Sequence, residues 1–92
     1  MIVRILNEDQ YRVPEDLLAS LNDLDNACVA AVEAGDEVLF RATYDQLLAL
    51  VRDRGEVLDD DDLTGSDLML PPADITMDEA AEEFTGEGLI PD

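Results

Sequence analysis

The residues with the most evident chemical potential are four consecutive aspartates, Asp59–Asp62, which could bind a divalent cation. Aligned as a calcium-binding loop, Asp60, Asp62 and Thr64 would take the first three ligand positions, and a glycine would follow at the turn. The final acid, which should bind the ion through both oxygens, is missing because Pro71 stands at its position. The sequence therefore favours a solvated charge run and predicts no bound metal and no cofactor.

Cys28 is the second candidate, and it is the single cysteine of a chain without histidine. A cysteine nucleophile needs a neighbouring histidine or another cationic group to lower the pKa of its thiol. Cys28 also falls on the apolar stripe of a predicted helix, so we expect a buried structural thiol. Paired carboxylates could hydrolyse a sugar only across a binding cleft, and the chain has no Trp to line one. We therefore expect no catalytic residues and no enzymatic activity.

Asp25 and Arg41 form a candidate polar pair on two predicted helices. Asp25 falls at the edge of the apolar stripe of the first helix, and Arg41 on the second helix could reach it. One interpretation is an ion pair at the edge of the core, worth at most about 1 kcal/mol. The other is a polar anchor for a helix of a partner protein.

Five apolar residues outside the long helices are candidates for partner binding, and they lie in two short stretches. One interpretation is that they are core residues that cover the second helix; the other is that they form an exposed groove or edge for a partner helix. The sequence leaves both interpretations in place. These residues are Leu68, Met69, Leu70, Leu89 and Ile90.

The elements that must position these residues begin with a β-hairpin over residues 2–13. Residues 2–6 are rich in β-branched side chains and 11–13 form a second short run, so they predict two antiparallel strands joined by a polar loop. A two-stranded ribbon is barely stable alone. The hairpin must therefore pack on another element.

Two helices follow, over residues 14–34 and 36–54. Pro14 suits a first helical position, and apolar residues then recur with helical spacing. Gly35 ends the first helix and Asp36 caps the second. So short a link predicts an antiparallel helical hairpin. The apolar sector of the second helix covers almost half its circumference, so we expect a further contact with the β-hairpin or the C-terminal segment.

The C-terminal third is predicted to be mostly extended. Residues 55–75 form an extended segment, because prolines follow Leu70 and disfavour helix before them. Thr76 and Glu79 form a capping box that starts a short helix over 77–84, and residues 85–92 form a tail. The 92 residues suit one α+β domain, with the β-hairpin packed on the two-helix hairpin.

Charge restricts the partners of this domain. The chain has 24 acidic and 5 basic residues and a formal net charge of -19, yet 47% of its residues are hydrophobic. This composition is typical of a folded protein in a salty cytoplasm, where a short Debye length screens self-repulsion. The charge argues against nucleic acid as a ligand and against direct insertion into an anionic membrane. With no signal-peptide pattern at the start, we expect a cytoplasmic protein.

Four stretches carry a family resemblance: MIVRIL with QYRV at the start, AVEAGDEVLFRA in the centre, DDDLTGSDLMLPPADIT after it, and GEGLIP at the end. The most specific parts are the run from Ser66 to Thr76 and the closing Gly88 to Pro91. Together they resemble the PspA-associated domain family (PspAA) of the phage-shock membrane-stress system over essentially all 92 residues. The acidity departs from bacterial examples and suggests a halophilic archaeon.

The resemblance implies a non-enzymatic companion of PspA, a coiled-coil protein that forms helical assemblies on stressed membranes. It supplies no catalytic residues. On this basis we expect a partner-binding or modulator domain, cytoplasmic or held at the membrane periphery through its partner, and homo-oligomerisation stays open. The alternative function is an acidic ligand-binding module that responds to divalent cations.

Overall fold

The computed structural model describes residues 1–58, 65 and 67–84. It is an α+β domain, which confirms the predicted fold class. A single turn of 3-10 helix, Glu15–Leu17, precedes the first α-helix. The elements, in chain order, are β1 (Ile2–Ile5), β2 (Gln10–Arg12), α1 (Leu18–Ala34), α2 (Glu37–Arg54), β3 (Glu56–Val57), β4 (Leu68–Leu70) and α3 (Met77–Glu83).

The strands form one four-stranded sheet in the order β3-β2-β1-β4. The predicted hairpin of β1 and β2 is confirmed, with Val3 opposite Tyr11, and its turn contains Asn7 at a φ of 68°. Asn adopts this left-handed conformation more readily than most residues. The predicted extended segment supplies both edges of the sheet, because β3 pairs antiparallel with β2 and β4 pairs parallel with β1.

The first helix begins later than its proline predicts. Pro14 has an extended backbone (φ -59°, ψ 142°), and the N–H of Leu17 donates to the Pro14 carbonyl at 3.1 Å. Such a bond to the third residue back is that of a 3-10 helix, so regular α-helix starts only at Leu18. The predicted start at residue 14 is therefore wrong by one turn.

The link between the helices follows the prediction. Gly35 has a φ of 70° and donates its N–H to the Ala31 and Val32 carbonyls at the end of α1. The carboxylate of Asp36 accepts the N–H of Leu39 at 3.0 Å and so caps α2. Gly35 and Asp36 together turn the chain, and α1 and α2 pack against each other.

The core lies between the helical hairpin and one face of the sheet. Val3 and Ile5 on β1 point towards the helices and are fully buried, whereas Arg4 between them is exposed. This alternation is the period of a strand with one buried face. The opposite face of β1, β2 and β4 is the outer sheet face. It contains Ile2, Arg4, Gln10, Arg12 and Met69, and Leu6 follows directly after β1.

Candidate partner-binding site

The three apolar residues of β4 have different surroundings. Leu70 is fully buried, Leu68 is half-buried, and 55% of Met69 is exposed. The parallel register explains this difference, because Leu68 and Leu70 stand opposite the inward-facing Val3 and Ile5. Leu68 and Leu70 thus belong to the core side of the sheet, and Met69 is the residue of this stretch that a partner can reach.

Met69 lines a groove of about 380 Å³ between β4 and α3. One wall of the groove is apolar and comes from the end of β1, from β4 and from the segment that follows it. The other wall is acidic and comes from α3. The groove is lined by Leu6, Met69, Pro71, Pro72, Ile75, Glu79, Glu82 and Glu83. An apolar side chain of a partner fits the apolar wall of such a groove.

Two side chains of α2 hold the segment 71–75 in place. The hydroxyl of Tyr44 donates to the Pro71 carbonyl at 2.5 Å. Arg41 donates to the Ala73 carbonyl at 2.6 Å and, from its other terminal nitrogen, to the Ile75 carbonyl. These carbonyls lie in a segment without regular secondary structure, so its backbone needs side-chain partners. The apolar wall of the groove is therefore fastened to α2.

An aromatic cluster supports the same region from inside. The rings of Phe40 and Tyr44, one turn apart on α2, are stacked with centroids 5.6 Å apart. Phe84, at the end of α3, meets both rings edge-on at 5.3 and 5.4 Å. Offset stacks and edge-to-face contacts are the favoured aromatic geometries. The cluster packs the end of α3 onto α2.

The structure places Asp25 and Arg41 differently from the predicted edge pair. Asp25 is fully buried and does not lie at the edge of the core. Arg41 binds the backbone carbonyls of the 71–75 segment. Among residues 1–58, 65 and 67–84, the ion pair joins Arg52 to Glu8. The pairing of Asp25 with Arg41 and a role of either residue in partner binding both stay predictions.

Cys28 is a buried thiol, as predicted. Burial, and then the negative charge of Asp25 nearby, raise the pKa of Cys28 to about 12. Burial also raises the pKa of the Tyr44 hydroxyl, which donates to Pro71. Both groups therefore hold their protons at neutral pH.

In contacts among the described residues, two of the arginines are bound to other groups. Arg41 holds backbone carbonyls, and Arg52 donates through Nε to the Glu8 carboxylate at 2.9 Å. Arg54 is exposed in the last turn of α2, where a cation interacts favourably with the helix dipole. Arg4 and Arg12 are exposed on the outer sheet face.

The remaining predicted residues fall outside the part of the chain that the structure describes. These are Leu89 and Ile90 of the tail and the aspartate run Asp59–Asp62. Within the described residues, no group of three or more acidic, histidine or cysteine side chains is arranged to hold a metal ion. Over the same residues, no helix is long and apolar enough to cross a membrane.

Sequence reasoning missed the two anchors of the groove. Tyr44 is not among the candidate residues predicted from the sequence, and Arg41 is predicted to pair with Asp25. A weak signal existed for Tyr44, because a buried tyrosine hydroxyl usually has a hydrogen-bond partner. No local pattern identifies that partner as Pro71, which lies 27 residues away.

These features define a class of small α+β domain, in which a four-stranded sheet covers a helical hairpin and an apolar groove opens beside the edge strand. The family model for PspA-Associated protein (PspAA) matches residues 1–92, the whole chain. The chain belongs to this family, and its role is linked to PspA. Searches of curated proteins and of solved structures gave no match.

Proposed function

We propose that this domain is a non-enzymatic module that binds PspA and modulates it. The observation that carries the proposal is the family match over the whole chain. The groove at Met69 adds a surface suited to protein contact, because an exposed methionine adapts to the shape of an incoming side chain. The coiled-coil nature of the partner is part of the proposal.

The chemistry of the domain supports a binding role over turnover. Cys28 has a raised pKa and is buried, so it is a poor nucleophile at neutral pH. The net charge of -19 opposes contact with nucleic acid and with an anionic leaflet. We propose further that the domain lies in the cytoplasm, or at the membrane periphery through PspA.

Co-purification with a PspA homologue of the same organism, in molar potassium chloride, tests this function. Met69→Glu places a charge in the groove and should weaken PspA binding at least about tenfold, as for a central interface residue. Val57→Glu is the matched control, because Val57 lies on the opposite edge strand and is also 55% exposed.

Three results would count against the proposal. Failure of the wild-type domain to bind PspA would reject the function itself. Equal binding by wild type and Met69→Glu would reject the groove as the contact surface. Equal weakening of PspA binding by both variants would show that the added negative charge is responsible, and not the position of Met69 in the groove.

A further inference from the structure

The outer sheet face concentrates positive charge in a strongly acidic chain. Arg4 and Arg12 are both exposed on this face, although only five of the 92 residues are basic. The register places Ile2 opposite Arg12 and Gln10 opposite Arg4. Arg4 and Arg12 are therefore diagonal neighbours on adjacent strands, with Cα atoms roughly 7–8 Å apart.

Nearby carboxylates do not engage these two guanidinium groups within the described residues. Glu56 stands opposite Arg12 on β3, but the ion pair that forms in the described part of the chain is Arg52–Glu8. Asp67, beside β4, accepts the backbone N–H of Ile2 through Oδ2 at 2.8 Å. Two cations this close repel each other, and an anionic partner would relieve that repulsion.

Apolar side chains continue this surface into the groove. Met69 stands opposite Arg4 in the parallel pair, and both lie on the outer face. Leu6, which directly follows β1, lines the groove together with Met69. From one end to the other, the surface is basic at Arg4 and Arg12, apolar at its centre, and acidic at the glutamates of α3.

We infer that the outer sheet face binds a segment of the partner protein that carries two carboxylates next to an aliphatic side chain. The carboxylates meet Arg4 and Arg12, and the aliphatic side chain lies over Met69. Carboxylates four residues apart on a helix are about 5–6 Å apart at Cβ, and alternate residues of a strand are about 6.6 Å apart. Either spacing fits the two arginines, and guanidinium binds carboxylate through paired hydrogen bonds.

This inference rests on the proposed function, since PspA is the partner whose segment occupies the face. Its test compares Arg4→Glu and Arg12→Glu with Arg54→Glu, which makes the same charge change at an exposed site on α2. Affinity for the PspA homologue is measured by calorimetry in molar potassium chloride, after thermal unfolding has shown each variant to be folded. Each sheet variant should bind about tenfold or more weakly, and Arg54→Glu within about twofold of wild type. Equal affinities among the variants would overturn the inference.

A second measurement does not depend on PspA. Amide chemical shifts of the wild-type domain are followed by NMR during titration with a synthetic peptide of alternating leucine and glutamate. Shifts centred on β1, β2 and β4 that disappear in Arg4→Glu would support the inference, even if PspA does not bind. Absent shifts, or shifts elsewhere, would overturn it. Sedimentation that shows a wild-type dimer dissociated by Arg4→Glu would also overturn it, because a second copy would then occupy the face.

Discussion

At the scale of single residues, the groove depends on two polar side chains of α2. Tyr44 and Arg41 hold carbonyls that lie about thirty residues further along the chain, between Pro71 and Ile75. Tyr44 and Pro71 are both buried, so their hydrogen bond has no ready replacement from water. The geometry of the groove is therefore sensitive to small changes far from its surface.

Tyr44→Phe should destabilise the domain by about 1–3 kcal/mol, because it leaves the buried Pro71 carbonyl without its donor. Urea unfolding measures this loss. Thr43→Val is the control, because the Thr43 hydroxyl bonds to Leu39 of its own helix at 2.7 Å, and its removal should cost less. Equal losses of stability in the two variants would show that the Tyr44–Pro71 hydrogen bond contributes no more than the bond of Thr43 within its own helix.

Cys28 gives a prediction for alkaline pH. Burial raises its pKa from 9.0 to about 12, so between these values the folded state binds more protons than the unfolded state. The stabilising contribution of the protonated thiol is therefore fully present below pH 9 and is lost as the pH rises towards 12. Tyr44 adds to the fall, since its pKa is also raised.

The contribution of the thiol is measured by urea unfolding at a series of pH values. Cys28→Ala removes the titrating group, so the stability of this variant should fall less steeply above pH 9 than that of wild type. The slopes are compared, rather than the absolute stabilities, because alanine also leaves a small cavity. Parallel slopes would contradict the assigned pKa shift.

For single residues, prediction succeeded where burial follows from helical spacing, and it failed where a residue's surroundings depend on parts of the chain that are distant in sequence. The helical spacing around Cys28 correctly predicted its burial. The same helical spacing predicted Asp25 at the edge of the core, whereas the structure buries this residue fully. For Arg41, helical spacing predicted which face of α2 carries the side chain. It could not predict that the guanidinium donates to the carbonyls of Ala73 and Ile75.

At the scale of elements, local signals predicted the hairpin and the helices. Gly35, Asp36 and the Thr76–Glu79 capping box end or begin helices within a residue of their predicted places. In the four-stranded sheet, the pairing of β1 with β2 was predicted, whereas β3 and β4 were predicted only as extended chain. A strand as short as Glu56–Val57 has no readable alternation, and the parallel pairing of β4 with β1 joins residues 65 apart. No local pattern reports such a contact.

Gly35→Ala should destabilise the helical hairpin by about 1 kcal/mol or more, because an alanine is strained at a φ of 70°. The added Cβ would meet no atom within 4 Å, so the loss comes from the backbone conformation and not from a clash. Thermal unfolding measures it. Gly35→Asn is the control, since asparagine tolerates this conformation and should lose less. An alanine variant as stable as wild type would refute the argument.

At the scale of the whole molecule, the net charge of -19 should make stability depend on salt. The Debye length falls from about 10 Å at 0.1 M to about 3 Å at 1 M, so salt screens the repulsion between the many carboxylates. We expect the urea midpoint to rise with potassium chloride over this range. A midpoint independent of salt would contradict the charge argument.

A variant with less charge separates screening from other effects of salt. Asp78, Glu82 and Glu83 are exposed on α3, and their replacement by the corresponding amides leaves the capping box of Thr76 and Glu79 intact. The amide variant should be more stable than wild type at low salt and should gain less from added potassium chloride. An equal gain in both proteins would indicate a salt effect unrelated to these charges.

Because residues 71–75 are bound to α2, the groove cannot keep its shape when it is separated from that helix. A peptide covering residues 67–84 would contain β4, both prolines and α3, yet it would lack Tyr44, Arg41 and the parallel neighbour β1. Such a fragment would lack the hydrogen bonds and the strand pairing that hold the groove in its folded conformation. Transplanting this surface onto another scaffold would therefore require carrying over the neighbouring turns of α2 as well.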